Sequence, residues 1–243
     1  MIEKELNVQT VDGSMLTFCC HPERGRAPVV ILYMDAYGIR EELRDMARRL
    51  ATSGYFVALP NLYYRTGALE LGPIPHPNEQ DRIERLTKRV QSLTIPAVMS
   101  DTATMLAQIE SDSSADVTRV ATVGYCMSGR FAIAAAARDP GRVRAAASIY
   151  GTWLVSDDPE SPHVAGTITP SELYFACAEI DHWAPLPVVE QLRAALNQAK
   201  ANAEVEVYQG VEHAFAFPSR RTYDRHAEDR HWERLIGLFR RNL

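Results

Sequence analysis

Three side chains stand out for the chemistry they could do together: Cys126, Asp181 and His213. A thiol supplies a nucleophile, an imidazole moves its proton, and a carboxylate orients the imidazole. Such a set carries out acyl transfer through a covalent intermediate. Cys126 lies in TVGYCMSGRF, residues 122–131, just after an apolar run. Gly124 and Ser128, two residues before and two after it, are the small neighbours that a tight strand–turn–helix elbow requires. The helix that follows starts at once. Its free N–H groups and positive end favour a thiolate over a thiol. The backbone N–H of Met127 is placed to face an oxyanion.

On the motif alone, two other readings compete. Gly124 and Gly129 have the spacing of a phosphate loop, but Arg130-Phe131 stands where Lys-Ser/Thr would reach phosphate and magnesium. A free cysteine is also commonly a small buried filler. The rest of the chain weighs towards the nucleophile. Asp181 follows the apolar run ELYFACA, and His213 follows AEVEVYQG. The order nucleophile, acid, histidine is that of a nucleophile-elbow hydrolase. Glu179 competes for the acid role, with Asp181 fitting the turn better. His21, His76, His163, His226 and His231 lack such a placement and read as surface residues; His182 adjoins Asp181 without a strand end of its own.

The elements that would position these groups alternate along the chain. ELNVQTVDGSMLTFCC reads as a hairpin turning at Asp12-Gly13. PVVILY, YFVALP, VTRVATVGY, VRAAASIYG, ELYFACA and AEVEVYQG read as strands, the continuously apolar ones suited to burial on both faces. Between and after them, EELRDMARRLATSG, AVMSDTATMLAQIES, SGRFAIAAAARD, PLPVVEQLRAALNQAK and the stretch from 222 to 242 read as helices. The expectation is a single α/β domain over 1–243, with a mostly parallel central sheet, an antiparallel N-terminal edge and helices on both faces. Residues 63–95 and 151–171 break the rhythm and read as loop excursions, candidate pocket walls beyond the strand ends. Tyr63, Tyr64, Trp153 and Trp183 lie in or near such loops.

The ordered set MDAYG, PNLYYRTG, GYCMSG, EIDHWAP and YQGVEHAF resembles the dienelactone hydrolase family of the α/β-hydrolase fold, over nearly the whole chain. The resemblance implies a Cys126-Asp181-His213 triad and a second oxyanion N–H from Ala36, beside that of Met127. It implies an acidic side chain next to the resting thiol, a position held here by Asp35 in place of the usual glutamate. In members that cleave dienelactone, an arginine soon after the histidine helps hold the substrate carboxylate. Here that stretch is HAFAFP, with Phe217 in its place, and Arg82 or Arg85 matches a second carboxylate-binding arginine. Tyr37, Tyr64, Trp153 and Phe217 complete the candidate substrate contacts.

Composition narrows the classes further. The 243 residues, 46% of them hydrophobic, suffice for one sizeable core. A net charge of -5 argues against nucleic-acid or membrane-surface partners. The first residues lack an apolar signal region, which points to the cytoplasm and to reduced thiols. Cys19, Cys20, Cys126 and Cys177 show no metal-ligand spacing. The expected function is hydrolysis of a lactone or carboxylic ester, with thioesters in range, through an acyl-cysteine and without metal or cofactor. The alternative is a non-catalytic small-molecule-binding or thiol redox-sensing protein on a hydrolase scaffold.

Overall fold

Segments Ile2–Thr10 and Gly13–His21 are strands β1 and β2, paired antiparallel as a hairpin. The apolar runs that follow are strands β3 (Ala27–Tyr33) and β4 (Phe56–Pro60), paired parallel to one another. Helix α1 (Glu41–Thr52) between them buries Leu43, Met46, Ala47 and Leu50, one face at helical spacing. Acids occupy its first turn and Arg49 its last, as the helix dipole favours. Helix α2 (Gln80–Ser92) and helix α3 (Ile95–Ile109) complete this part, with the Thr94 side chain accepting from the Ala97 N–H to cap α3. The computed structural model describes residues 1–73, 75 and 78–243, so His76 lies outside the described residues.

The chain divides into two units, Met1–Val117 and Thr118–Leu243. In the first, the strand order is β1-β2-β4-β3, with β2 antiparallel to both of its neighbours. Strand β5 (Ala115–Tyr125) runs into the second unit. There α4 (Gly129–Arg138), β6 (Val143–Ile149), α5 (Pro162–Ile168), β7 (Glu172–Ile180), α6 (Leu186–Gln198), β8 (Ala203–Glu212) and α7 (Arg225–Asn242) follow. Strands β5, β6, β7 and β8 lie in that order and pair parallel throughout. This is an α/β fold with mostly parallel strands and an antiparallel N-terminal edge, as the alternation of elements led us to expect.

Both excursions contain a helix that the sequence reading took for loop. In α2 only Val90 is buried, so its apolar spacing is swamped by charge. In α5 the cause is brevity and a glycine. A Cβ on Gly166 would come within 2.8 Å of Leu196 and 3.2 Å of Leu173, so this helix packs closely only because that position lacks a side chain. Two histidines read as surface residues are core. His21 stacks on Phe56 at 5.0 Å between ring centroids, and His231 is buried in α7 between Ala227 and Leu235, one turn from each. Among the described residues, no helix is long and apolar enough to cross a membrane.

Candidate active site

The elbow is built as its letters require. β5 ends at Tyr125, residues Cys126–Ser128 form one tight turn, and α4 begins at Gly129. Cys126 has φ 55°, a left-handed conformation that costs a non-glycine residue about 1–3 kcal/mol. The Thr152 N–H donates to its carbonyl at 3.1 Å and helps hold the turn. Gly124 is indispensable to this geometry, since a Cβ there would lie 2.0 Å from the Ser128 carbonyl oxygen. Tyr150, Trp153 and Ala214 also have positive φ, at 37°, 52° and 68°. Strained backbone is therefore concentrated at the loops beyond the strand ends of this unit.

Asp181 and His213 occupy the positions read from the sequence. Asp181 follows β7 and His213 follows β8. The two oxygens of Asp181 divide their work. Oδ1 accepts the backbone N–H groups of Trp183 at 2.8 Å and Ala184 at 3.3 Å, while Oδ2 meets His213 Nδ1 at 2.6 Å. A carboxylate only accepts, so Nδ1 carries a proton and Nε2 is left for the nucleophile. The same ring lies close enough to Cys126 to feel its charge. Glu179 takes no part in this line, because its Oε2 accepts the Gly210 N–H at 2.6 Å.

Burial disfavours the charged form of the His213 ring. The Cys126 charge, together with the bond to Asp181 and its charge, outweighs it and raises the pKa to about 10. Beside an ionised sulfur the imidazole is held protonated. The Tyr150 ring meets it edge-on at 5.1 Å, which limits its rotation. The other three thiols differ sharply. Burial pushes Cys19, Cys20 and Cys177 up to about 12, whereas Cys126 is half-buried. Iodoacetamide near neutral pH is therefore expected to place one adduct on the native protein, at Cys126. Peptide mapping by mass spectrometry checks this, and labelling at any other cysteine before denaturation contradicts it.

The remaining candidates separate. Tyr37, Leu71, Leu86 and three arginines, Arg82, Arg85 and Arg89, line a cavity of about 120 Å³ in the first unit, room for an anionic group rather than a whole substrate. Arg82 there is held by Glu79 at 2.9 Å and by the Pro73 carbonyl at 2.6 Å. Asp35 is buried and gripped by Arg40, with Nη1 to Oδ1 at 2.7 Å and Nη2 to Oδ2 at 3.2 Å. The sequence reading missed Arg40; an arginine five residues on across a loop carries no local signature.

Trp153 is partly exposed, its indole stacked 4.6 Å from the Arg130 guanidinium. Two candidates need correction. The Tyr64 hydroxyl bonds Asp101 at 2.9 Å and Thr10 at 2.7 Å, so it fastens the turn after β4. Phe217 is fully buried against Tyr125 and Tyr150, so it belongs to the core and walls no pocket. Among the described residues, no group of three or more His, Cys, Asp or Glu is arranged to hold a metal ion.

Comparison with known proteins places the chain in a family. The model of the dienelactone hydrolase family matches residues 15–243. A protein of Escherichia coli O157:H7, provisionally named carboxymethylenebutenolidase, is 31% identical over 221 residues, covering 89% of this chain and 78% of its own. One of the same provisional name from Yersinia pestis is 28% identical, covering 97% of this chain and 86% of its own. The crystal structure of a provisionally named dienelactone hydrolase from Klebsiella pneumoniae superposes with a TM-score of 0.86 at 27% identity, covering 98% of each chain.

Proposed function

This chain belongs to the dienelactone hydrolase family and is a hydrolase, and from that premise we propose that it cleaves a lactone or carboxylic ester through a Cys126-His213-Asp181 triad and an acyl-cysteine intermediate. The observation that carries this reading is the 2.6 Å bond between Asp181 Oδ2 and His213 Nδ1, on a ring that also lies within reach of the Cys126 charge. The sulfur works as a thiolate paired with that imidazolium. It attacks the carbonyl carbon, and the oxyanion that forms is met by the N–H groups of Met127 and Ala36. One such donor is worth about 3 kcal/mol. His213 gives its proton to the departing oxygen, leaving neutral imidazole and the acyl-cysteine. Water then loses a proton to His213 and attacks, the C–S bond breaks, and the acid leaves with the ion pair restored. Asp35 is the proposed acidic neighbour of the resting thiol, its charge balanced by Arg40.

The relatives' name denotes a butenolide that carries a carboxymethylene group. A cavity lined by three arginines suits such an anionic substituent, so Tyr37, Arg82 and Arg85 are proposed as substrate contacts. Because Phe217 is core, its apolar side chain does not set the charge of the substrate.

Rapid mixing with a p-nitrophenyl ester tests the two-step course. The expected trace is a burst of about one p-nitrophenol per chain followed by a slower steady rate. Acid quenching within the burst should add one acyl mass to the peptide that contains Cys126. A linear trace with no adduct on that peptide under any quench would refute the covalent intermediate.

A further inference from the structure

We infer that Tyr63 is a positioning residue for the oxyanion donor at Ala36, an inference that rests on the reading of the Ala36 N–H given above. Tyr63 is buried at the end of β4, and its hydroxyl donates to the Ala36 carbonyl at 2.9 Å. The N–H of that same peptide unit, from Tyr37, donates to Asp35 Oδ1 at 3.0 Å. Asp35 is in turn held at both oxygens by Arg40. The peptide plane between Ala36 and Tyr37 is thus gripped at its two ends, by a tyrosine on one side and an arginine-backed carboxylate on the other.

Two grips on one plane fix ψ of Ala36 and φ of Tyr37, the soft torsions beside it. Residues 34–37 belong to no helix or strand, and the peptide unit before Ala36 is tied by the Gly38 N–H, which donates to the Asp35 carbonyl at 3.3 Å. Tyr63 is itself anchored, since its N–H donates to Asn61 Oδ1 at 3.0 Å and the Asn61 N–H reaches the Leu16 carbonyl at 2.9 Å. On the far side, the Ile39 N–H bonds the Leu69 carbonyl at 2.8 Å and the Leu71 N–H bonds the Tyr37 carbonyl at 3.0 Å. The Ala36 N–H belongs to the preceding peptide unit and lies between the Gly38-tied Asp35 carbonyl and the gripped plane, so it is aimed from both sides before substrate arrives, as oxyanion stabilisation requires.

Tyr63→Phe removes the grip on the Ala36 carbonyl. Deleting an oxyanion donor outright costs about 10²–10³ in kcat, and loosening its aim should cost about tenfold. KM should stay within about twofold, and the rate of Cys126 alkylation by iodoacetamide should not change, because the thiol is untouched. Tyr33→Phe is the control for a merely structural hydroxyl. Tyr33 is buried two residues before Asp35 and bonds Thr102 at 2.7 Å. It should lose Tm but keep kcat within about twofold. If Tyr63→Phe melts below the assay temperature, Arg40→Lys loosens the other grip and should lower kcat by a similar factor with KM within about twofold; alkylation is no control for that variant, because Arg40 holds the Asp35 proposed beside the thiol. Full kcat in Tyr63→Phe, or a fall matched by slower alkylation, overturns the inference. Cys126→Ala run alongside separates the two levels: if it stays active, the triad reading fails, and if it is dead while Tyr63→Phe is normal, only the role of Tyr63 fails.

Discussion

Replacing Cys126 with alanine is expected to lower turnover of lactones and esters by at least about 10⁴-fold, since removal of a covalent nucleophile typically costs 10⁴–10⁶. Stability should scarcely move. Alanine keeps the Cβ, so the strain of φ 55° is the same in both proteins, and the lost sulfur is only half-buried. The substitution therefore separates chemistry from folding. It has a second readout. The Cys126 charge raises the His213 pKa, against burial that lowers it. With the sulfur gone, the imidazole should titrate at distinctly lower pH, visible by NMR of the ring carbons. A Cys126→Ala protein that hydrolyses a panel of aryl esters and lactones at the parent rate would falsify the mechanism.

Gly124→Ala should be nearly as damaging to activity and far more damaging to the fold. The added Cβ would sit 2.0 Å from the Ser128 carbonyl oxygen and 2.4 Å from its carbon. Those are backbone atoms of the turn that carries the sulfur, so no rotamer change relieves the clash. Either the end of β5 or the turn must shift. Overpacking of this kind costs about 3 kcal/mol, which for a chain of this size lowers Tm by about 6–12 °C. A displacement near 1 Å at a reacting group costs about 10²-fold in rate. Gly141→Ala is the contrast, because its Cβ would meet only Asp139 Oδ1 at 3.9 Å. Calorimetry and steady-state kinetics on the pair check the claim. Equal Tm values for the two variants would show that the elbow yields more easily than its contacts imply.

The parts of this architecture that could be read from the chain are those fixed by local pattern. Parallel strands buried on both faces announce themselves as apolar runs, and a residue just past such a run falls at a strand end, which is why Asp181 and His213 were placed correctly. Pairing across distance was not legible. Nothing near Tyr64 signals that its hydroxyl serves Asp101, on α3, and nothing near Asp35 signals Arg40. Some of the misreading had a remedy. His231 lies at helical spacing with the buried Ala227 and Leu235, so the period of α7 marked it as interior. There its Nε2 sits 3.1 Å from the hydroxyl of Tyr125, the residue before the nucleophile. Phe217 carried no such mark, since only the folding of the loop after β8 turns it into the aromatic cluster.

All three side chains of the proposed triad lie beyond residue 117, whereas the arginine-lined cavity and Ala36 lie before it. Mutant libraries can exploit that partition. Randomising codons 71, 82, 85, 86 and 89 alone varies the proposed recognition surface while every clone inherits an unaltered sulfur, imidazole and carboxylate, so new selectivities can be screened without losing most of the population to dead enzyme.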